Sequence, residues 1–160
     1  MRLQGFSFKR LEPYKDLDDY LPEIERTWGL FTAIAHPVLV RTIRLRYINR
    51  LPLPMTDGRV NLEDYLTTAP RLPDGGLQMA GFMNQQFSVE RESGHQVNIV
   101  VTTHPVVIAA HPPDNDRLPI ILDICVGAVA DGRPENWAWI LDKILSLRRL
   151  KNRMCAKTLT

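Results

Sequence analysis

The sequence predicts a two-layer α+β domain: an antiparallel sheet of about five strands, with a Trp/Phe-bearing helix and a long C-terminal helix packed on one face. Three observations carry this. Residues 38–54 (VLVRTIRLRYINRLPLP) alternate with a period of two: Leu39, Arg41, Ile43, Leu45, Tyr47, Asn49 and Leu51 make one mostly apolar side, and Arg44, Arg46 and Arg50 stand on the other with Val38, Val40, Thr42 and Ile48. Residues 79–103 read as two alternating strands about the turn Glu92-Ser93-Gly94-His95. Residues 22–36 and 134–151 show apolar stripes at helical spacing.

In chain order, residues 3–11 alternate weakly, with Phe6 and Phe8 on one side, and predict a short edge strand ended by Pro13. The helix at 22–36 has Pro22 in its first turn, Asp18 and Asp19 upstream where negative charge suits a helix N-terminus, and Pro37 as its stop. Ile24, Trp28, Phe31 and Ala35 form its stripe. The arginine-bearing strand follows, then a turn at 57–59, a helical turn or two at 61–66 and loop chemistry at 67–76. After the hairpin, 105–110 extends the second strand past a bulge at Pro105, and 111–116 turns the chain. Residues 118–129 (LPIILDICVGAV) are the most apolar strand and belong in the middle of the sheet. The last helix has Pro134 in its first turn, acid near its start and Arg148, Arg149, Lys151, Arg153 and Lys157 near its end, the arrangement the helix dipole favours.

At 160 residues the chain predicts a single domain, 1–160, with a core that needs no disulfide or metal. A net charge of +2 does not by itself imply nucleic acid, so a basic argument rests on where the charges lie. Cys125 and Cys155 stand far apart without a CxxC, which predicts a reduced, cytoplasmic protein. The N-terminus lacks the apolar run of a signal peptide and no stretch reaches membrane-spanning length, so no membrane partner is expected.

Arg44, Arg46 and Arg50 are the candidate anion- or partner-binding residues, because guanidinium forks match carboxylate and phosphate geometry. Asn84, Gln86, Gln96 and Asn98 on neighbouring strands enlarge that platform. The competing reading is a solvated face whose arginines pair with cross-strand acids such as Glu90 and Asp123. Asp123 interrupts an apolar strand: read one way it is a catalytic base or a metal ligand, read the other it is a structural ion-pair partner for an arginine of the 41–50 strand. A zinc site from His104, His111 and Cys125 lacks a recognisable ligand spacing, and no GxSxG or phosphate loop is present. No catalytic residue, metal or cofactor is therefore assigned, and the reading leans away from an enzyme. The basic end of the last helix is a second nucleic-acid cue. Trp28 and Trp137 fall on core stripes, and Trp139 lies off its stripe.

Two stretches resemble a sporadically distributed family of uncharacterised prokaryotic proteins. One is RLRYINRLPLP (44–54), preceded by a Trp/Phe helix. The other is ILDICV (121–126) with a C-terminal helix beginning near a tryptophan. Members of that family carry an Arg-Tyr-Ile-Asn strand and a Leu-Asp strand, and they finish on a long helix and a tail ending in threonine, which LRRLKNRMCAKTLT (147–160) resembles. They are longer at the N-terminus, so the resemblance implies a shortened relative with an exposed sheet edge that favours self-association. It implies no activity, cofactor or site residue. The expectation is a non-enzymatic binding or interaction domain using the arginine-bearing face, with a protein partner or a second copy of the chain. The alternatives are nucleic acid bound through Arg44, Arg46 and Arg50 or the basic helix end, and an enzyme with Asp123 in a cleft.

Overall fold

A computed structural model describes residues 5–11, 16–57, 59–71, 81–103 and 117–160. Among the described residues the fold is α+β, with a four-stranded antiparallel sheet and two helices, one of them C-terminal. The elements are α1 (Leu21–Ala35), β1 (Val40–Pro54), a 3₁₀ turn (Leu62–Asp64), β2 (Met83–Val89), β3 (Gln96–Thr102), β4 (Arg117–Gly132) and α2 (Trp137–Thr158). Sheet order is β1-β4-β3-β2, so the last strand in the chain is inserted between the first and the third. The expected extension at 105–110, the turn at 111–116 and two members of the weighed zinc site, His104 and His111, lie outside the described residues.

The chain divides into two compact units. The smaller comprises residues 1–41 and 130–142. Here the expected N-terminal strand is replaced by irregular chain, which lowers the strand count from about five to four. Its aromatic side chains are engaged with α1: the Phe6 ring lies 5.5 Å from Trp28 and 5.7 Å from Phe31, and Phe8 lies 6.5 Å from Tyr20. Trp28 donates its indole N–H to the Pro134 carbonyl at 2.9 Å. The α1 stripe is half-buried throughout, and no residue of the helix is fully buried. His36 ends α1 in the left-handed region at φ 45°, its N–H bonded to the Thr32 carbonyl.

The larger unit comprises residues 42–129 and 143–160. Its core is β4, where Ile120, Leu122, Ile124 and Val126 are fully buried, together with Val97 and Val101 of β3 and Leu147 and Leu150 of α2. Ile43, Leu45 and Leu51 of β1 pack against this core while Arg44, Arg46 and Arg50 are exposed. Alternation along β1 therefore divides sheet and solvent as a period of two demands.

α2 runs from Trp137 to Thr158 rather than 134–151. It starts later because Asn136 caps it, its side-chain oxygen accepting the Trp139 N–H at 3.1 Å, while Pro134 belongs to the preceding turn. It ends later because its last turn is held by a docked tail: Thr67 N–H donates to the Thr158 carbonyl and Thr160 N–H to the Tyr65 carbonyl, both at 3.1 Å. The hairpin forms as expected, with Glu90 N–H to the His95 carbonyl at 2.9 Å and Gly94 at φ +68°, a conformation that favours glycine.

Candidate functional site

The sheet of the larger unit has two unlike faces, fixed by register. Ser88, Val97 and Val126 line up across β2, β3 and β4, as do Gln86, Ile99 and Ile124; these rows face the core and α2. Phe87, Asn98 and Cys125 line up, as do Gln85, Val100 and Asp123; these rows face the opposite side. On that open face β1 contributes Arg44, Arg46, Ile48 and Arg50, all exposed.

At its centre Arg46 grips Asp123. The guanidinium Nε lies 3.0 and 3.1 Å from the two carboxylate oxygens, and Nη2 lies 2.5 Å from Oδ2. The carboxylate pushes the Arg46 pKa up, by hydrogen bonding first and charge second. Beside them the Cys125 thiol is pushed up chiefly by burial, with Asp123 adding to the shift and Arg44 and Arg46 opposing it, so it stays protonated at neutral pH. Gly127 leaves room for the Arg44 stem: a Cβ there would sit 3.3 Å from Arg44 Cγ. Among the described residues, Arg44 and Arg50 have no acidic partner.

The three sequence-selected arginines thus share one face, with the middle one neutralised by the aspartate also selected. The polar platform expected around them is split. Gln96 and Asn98 stand on the open face, whereas Asn84 and Gln86 share pleats with the core residues Val101 and Ile99 and point to the α2 side. Their place on the open face is taken by Met83, Phe87 and Val89, which are 72%, 67% and 57% exposed. The sequence paired these positions with one another correctly but gave no sign of which side of β2 looks inward, because an edge strand need not bury its apolar side. Glu90, weighed as a partner for the β1 arginines, instead accepts from Arg153 of α2 and from the Ser93 hydroxyl.

Behind β2, Asn84, Gln86, Ser88, Thr67, Thr68 and Lys157 rim a groove of about 180 Å³ floored by Ile99, Val101 and Met154. Asn84 donates to the Thr68 carbonyl at 3.1 Å, tying the strand to the loop above it. The basic end of α2 is partly engaged: the Lys151 ammonium sits 3.9 Å over the Tyr47 ring and Arg153 is bound to Glu90. Among the described residues, no three metal-ligating side chains come together. No described helix is long and apolar enough to cross a membrane.

Comparison of the chain with protein-family models, with curated proteins and with solved structures gave no match.

Proposed function

We propose that the protein is a non-enzymatic interaction domain whose open sheet face receives a protein partner. The observation that carries this is the composition of that face. Exposed Ile48, Met83 and Phe87 stand on the same surface as Arg44 and Arg50, and the ion pair Arg46–Asp123 occupies the middle. Arginine beside methionine and aromatic residues is the make-up of protein interfaces. The Arg44 and Arg50 guanidiniums, without an acidic partner among the described residues, select acidic side chains, and the apolar groups select an aliphatic or aromatic complement.

The other readings have less support. A nucleic-acid surface needs cations free to meet phosphates. Arg46 is engaged with Asp123, Arg153 with Glu90 and Lys151 with Tyr47, which leaves Arg44 and Arg50 as the open-face cations to meet them, beside exposed apolar side chains. An enzyme using Asp123 as a base needs a free carboxylate oxygen facing a cleft, and both oxygens here accept from Arg46.

Selection of a random peptide library on the immobilised protein tests the reading. Acidic sequences with apolar anchors are expected, with binding weakened about tenfold in the double variant Arg44→Glu/Arg50→Glu. Recovered peptides whose affinity is indifferent to that change argue against the open face. Retention on immobilised duplex DNA at physiological salt, lost in the same variant, favours nucleic acid instead.

A further inference from the structure

The two edges of the sheet are built differently. β1 carries Arg41, Arg44, Arg46 and Arg50 with Pro52 and Pro54, the charges and prolines by which natural edge strands resist pairing with another chain. β2, with the sequence MNQQFSV, has no charge and no proline. Six of its seven residues are exposed and Asn84 is half-buried, and among the described residues no strand lies beyond it.

The free backbone groups of β2 can be placed. Glu90 N–H bonds to the His95 carbonyl at one end of the hairpin ladder, and Thr103 N–H bonds to the Phe82 carbonyl at the other. Bonded pairs alternate along an antiparallel ladder, so the even-numbered residues of β2 direct their N–H and C=O groups to β3. Met83, Gln85, Phe87 and Val89 therefore direct theirs to the open edge.

We infer that β2 is a self-association edge, pairing antiparallel with β2 of a second copy of this chain across a two-fold axis at Gln86. This register uses every outward residue: Met83 meets Val89 of the second copy, and Gln85 meets its Phe87. Gln86 meets itself, and Asn84 meets Ser88. The strand has apolar ends, small polar residues next to them and an amide at the centre, and differs between its two directions only at Gln85 and Phe87, which the two-fold axis sets opposite each other. On the open face the pairing sets Met83 beside Val89 and extends the apolar area around Phe87. On the other face it opposes the neutral side chains of Asn84, Gln86 and Ser88, so the strand itself brings no charge into the contact. The inference does not depend on what the arginine-bearing face binds.

Light scattering and sedimentation velocity on the whole chain, across roughly 1–500 µM as suits a small interface, test it. The expected mass rises towards twice 18.3 kDa with concentration. Gln86→Lys sets two ammonium groups against each other at the axis, and Gln86→Glu two carboxylates. Each variant, with a far-UV spectrum like that of the parent, is expected to weaken the dimer about tenfold. An equimolar mixture of the two is expected to restore it as a mixed dimer. The idea is overturned by a parent that stays monomeric over the whole range, by a dimer that Gln86→Lys leaves unchanged, or by a mixture no more associated than its components.

Discussion

Arg46 and Asp123 form a two-pronged ion pair in which the partners are unequally wet: the arginine side chain is 60% exposed and the aspartate side chain 16%. The pair joins β1 to β4, 77 residues apart in sequence. Its stabilising contribution depends on which half is removed. Asp123→Ala leaves a guanidinium already in solvent and is expected to cost under about 1 kcal/mol. Arg46→Ala leaves a largely desolvated carboxylate without its partner and is expected to cost about 1–3 kcal/mol. Urea denaturation of the two single variants checks the asymmetry, and equal costs would contradict it.

Gly132, at the end of β4, lies under the ring of Trp139. A Cβ at that position would stand 2.1 Å from Trp139 Cζ3, inside any permissible contact. Gly132→Ala therefore forces the indole off its seat. A loss of about 1–3 kcal/mol is expected, as for overpacking elsewhere, together with a shift in tryptophan fluorescence. Trp139→Leu in the same background removes the clash and should recover part of the loss.

Leu122 is fully buried, on the core side of β4. Leu122→Ala is expected to cost about 2–5 kcal/mol in chemical denaturation. Val129→Ala, on the same strand at a side chain 70% exposed, should stay within about 0.5 kcal/mol.

His95 is buried at the hairpin turn, and its pKa is lowered from 6.5 by burial first and by the Lys143 charge second. Glu90 Oε2 lies 4.0 Å from its Nδ1, but that carboxylate already receives Arg153 and Ser93, so burial and Lys143 prevail. With the folded pKa below the unfolded one, the contribution of His95 to stability is complete above pH 6.5 and declines as pH falls below it. Denaturation midpoints for the parent and for His95→Gln, compared between pH 7.5 and pH 5.5, should differ in slope, with the variant the flatter.

The sequence disclosed those parts of the fold whose period is long and whose apolar residues are inward. β1 is legible because Ile43, Leu45 and Leu51 alternate with three arginines, and β4 because its apolar run has no room for solvent. The meeting of Asp123 with an arginine of β1 was legible for a related reason: a carboxylate in such a strand needs a partner, and the neighbouring strand offered only cations. The N-terminal stretch is deceptive because Phe6 and Phe8 alternate as a strand would, while their rings are used against Trp28 and Tyr20. The division of Asn84 and Gln86 from Gln96 and Asn98 was hidden because alternation fixes which residues travel together, not which way the pair looks. The late start of α2 was hidden by Pro134, an equally good first-turn residue and turn residue.

The position of β4 has a consequence for how the chain is made. The strand bonded on both sides is the last of the described strands to leave the ribosome, and β1 waits for it across a long sequence interval. Until Arg117 and the residues after it have emerged, β1 and the β2–β3 hairpin have no common neighbour and their apolar sides stay wet. Closure of the sheet is then a late, non-local event, and non-local strand pairing is slow and exposes the nascent chain to aggregation. Chains arrested short of β4 are expected to be captured by holdase chaperones, and release should coincide with synthesis of the central strand and the helix that covers it.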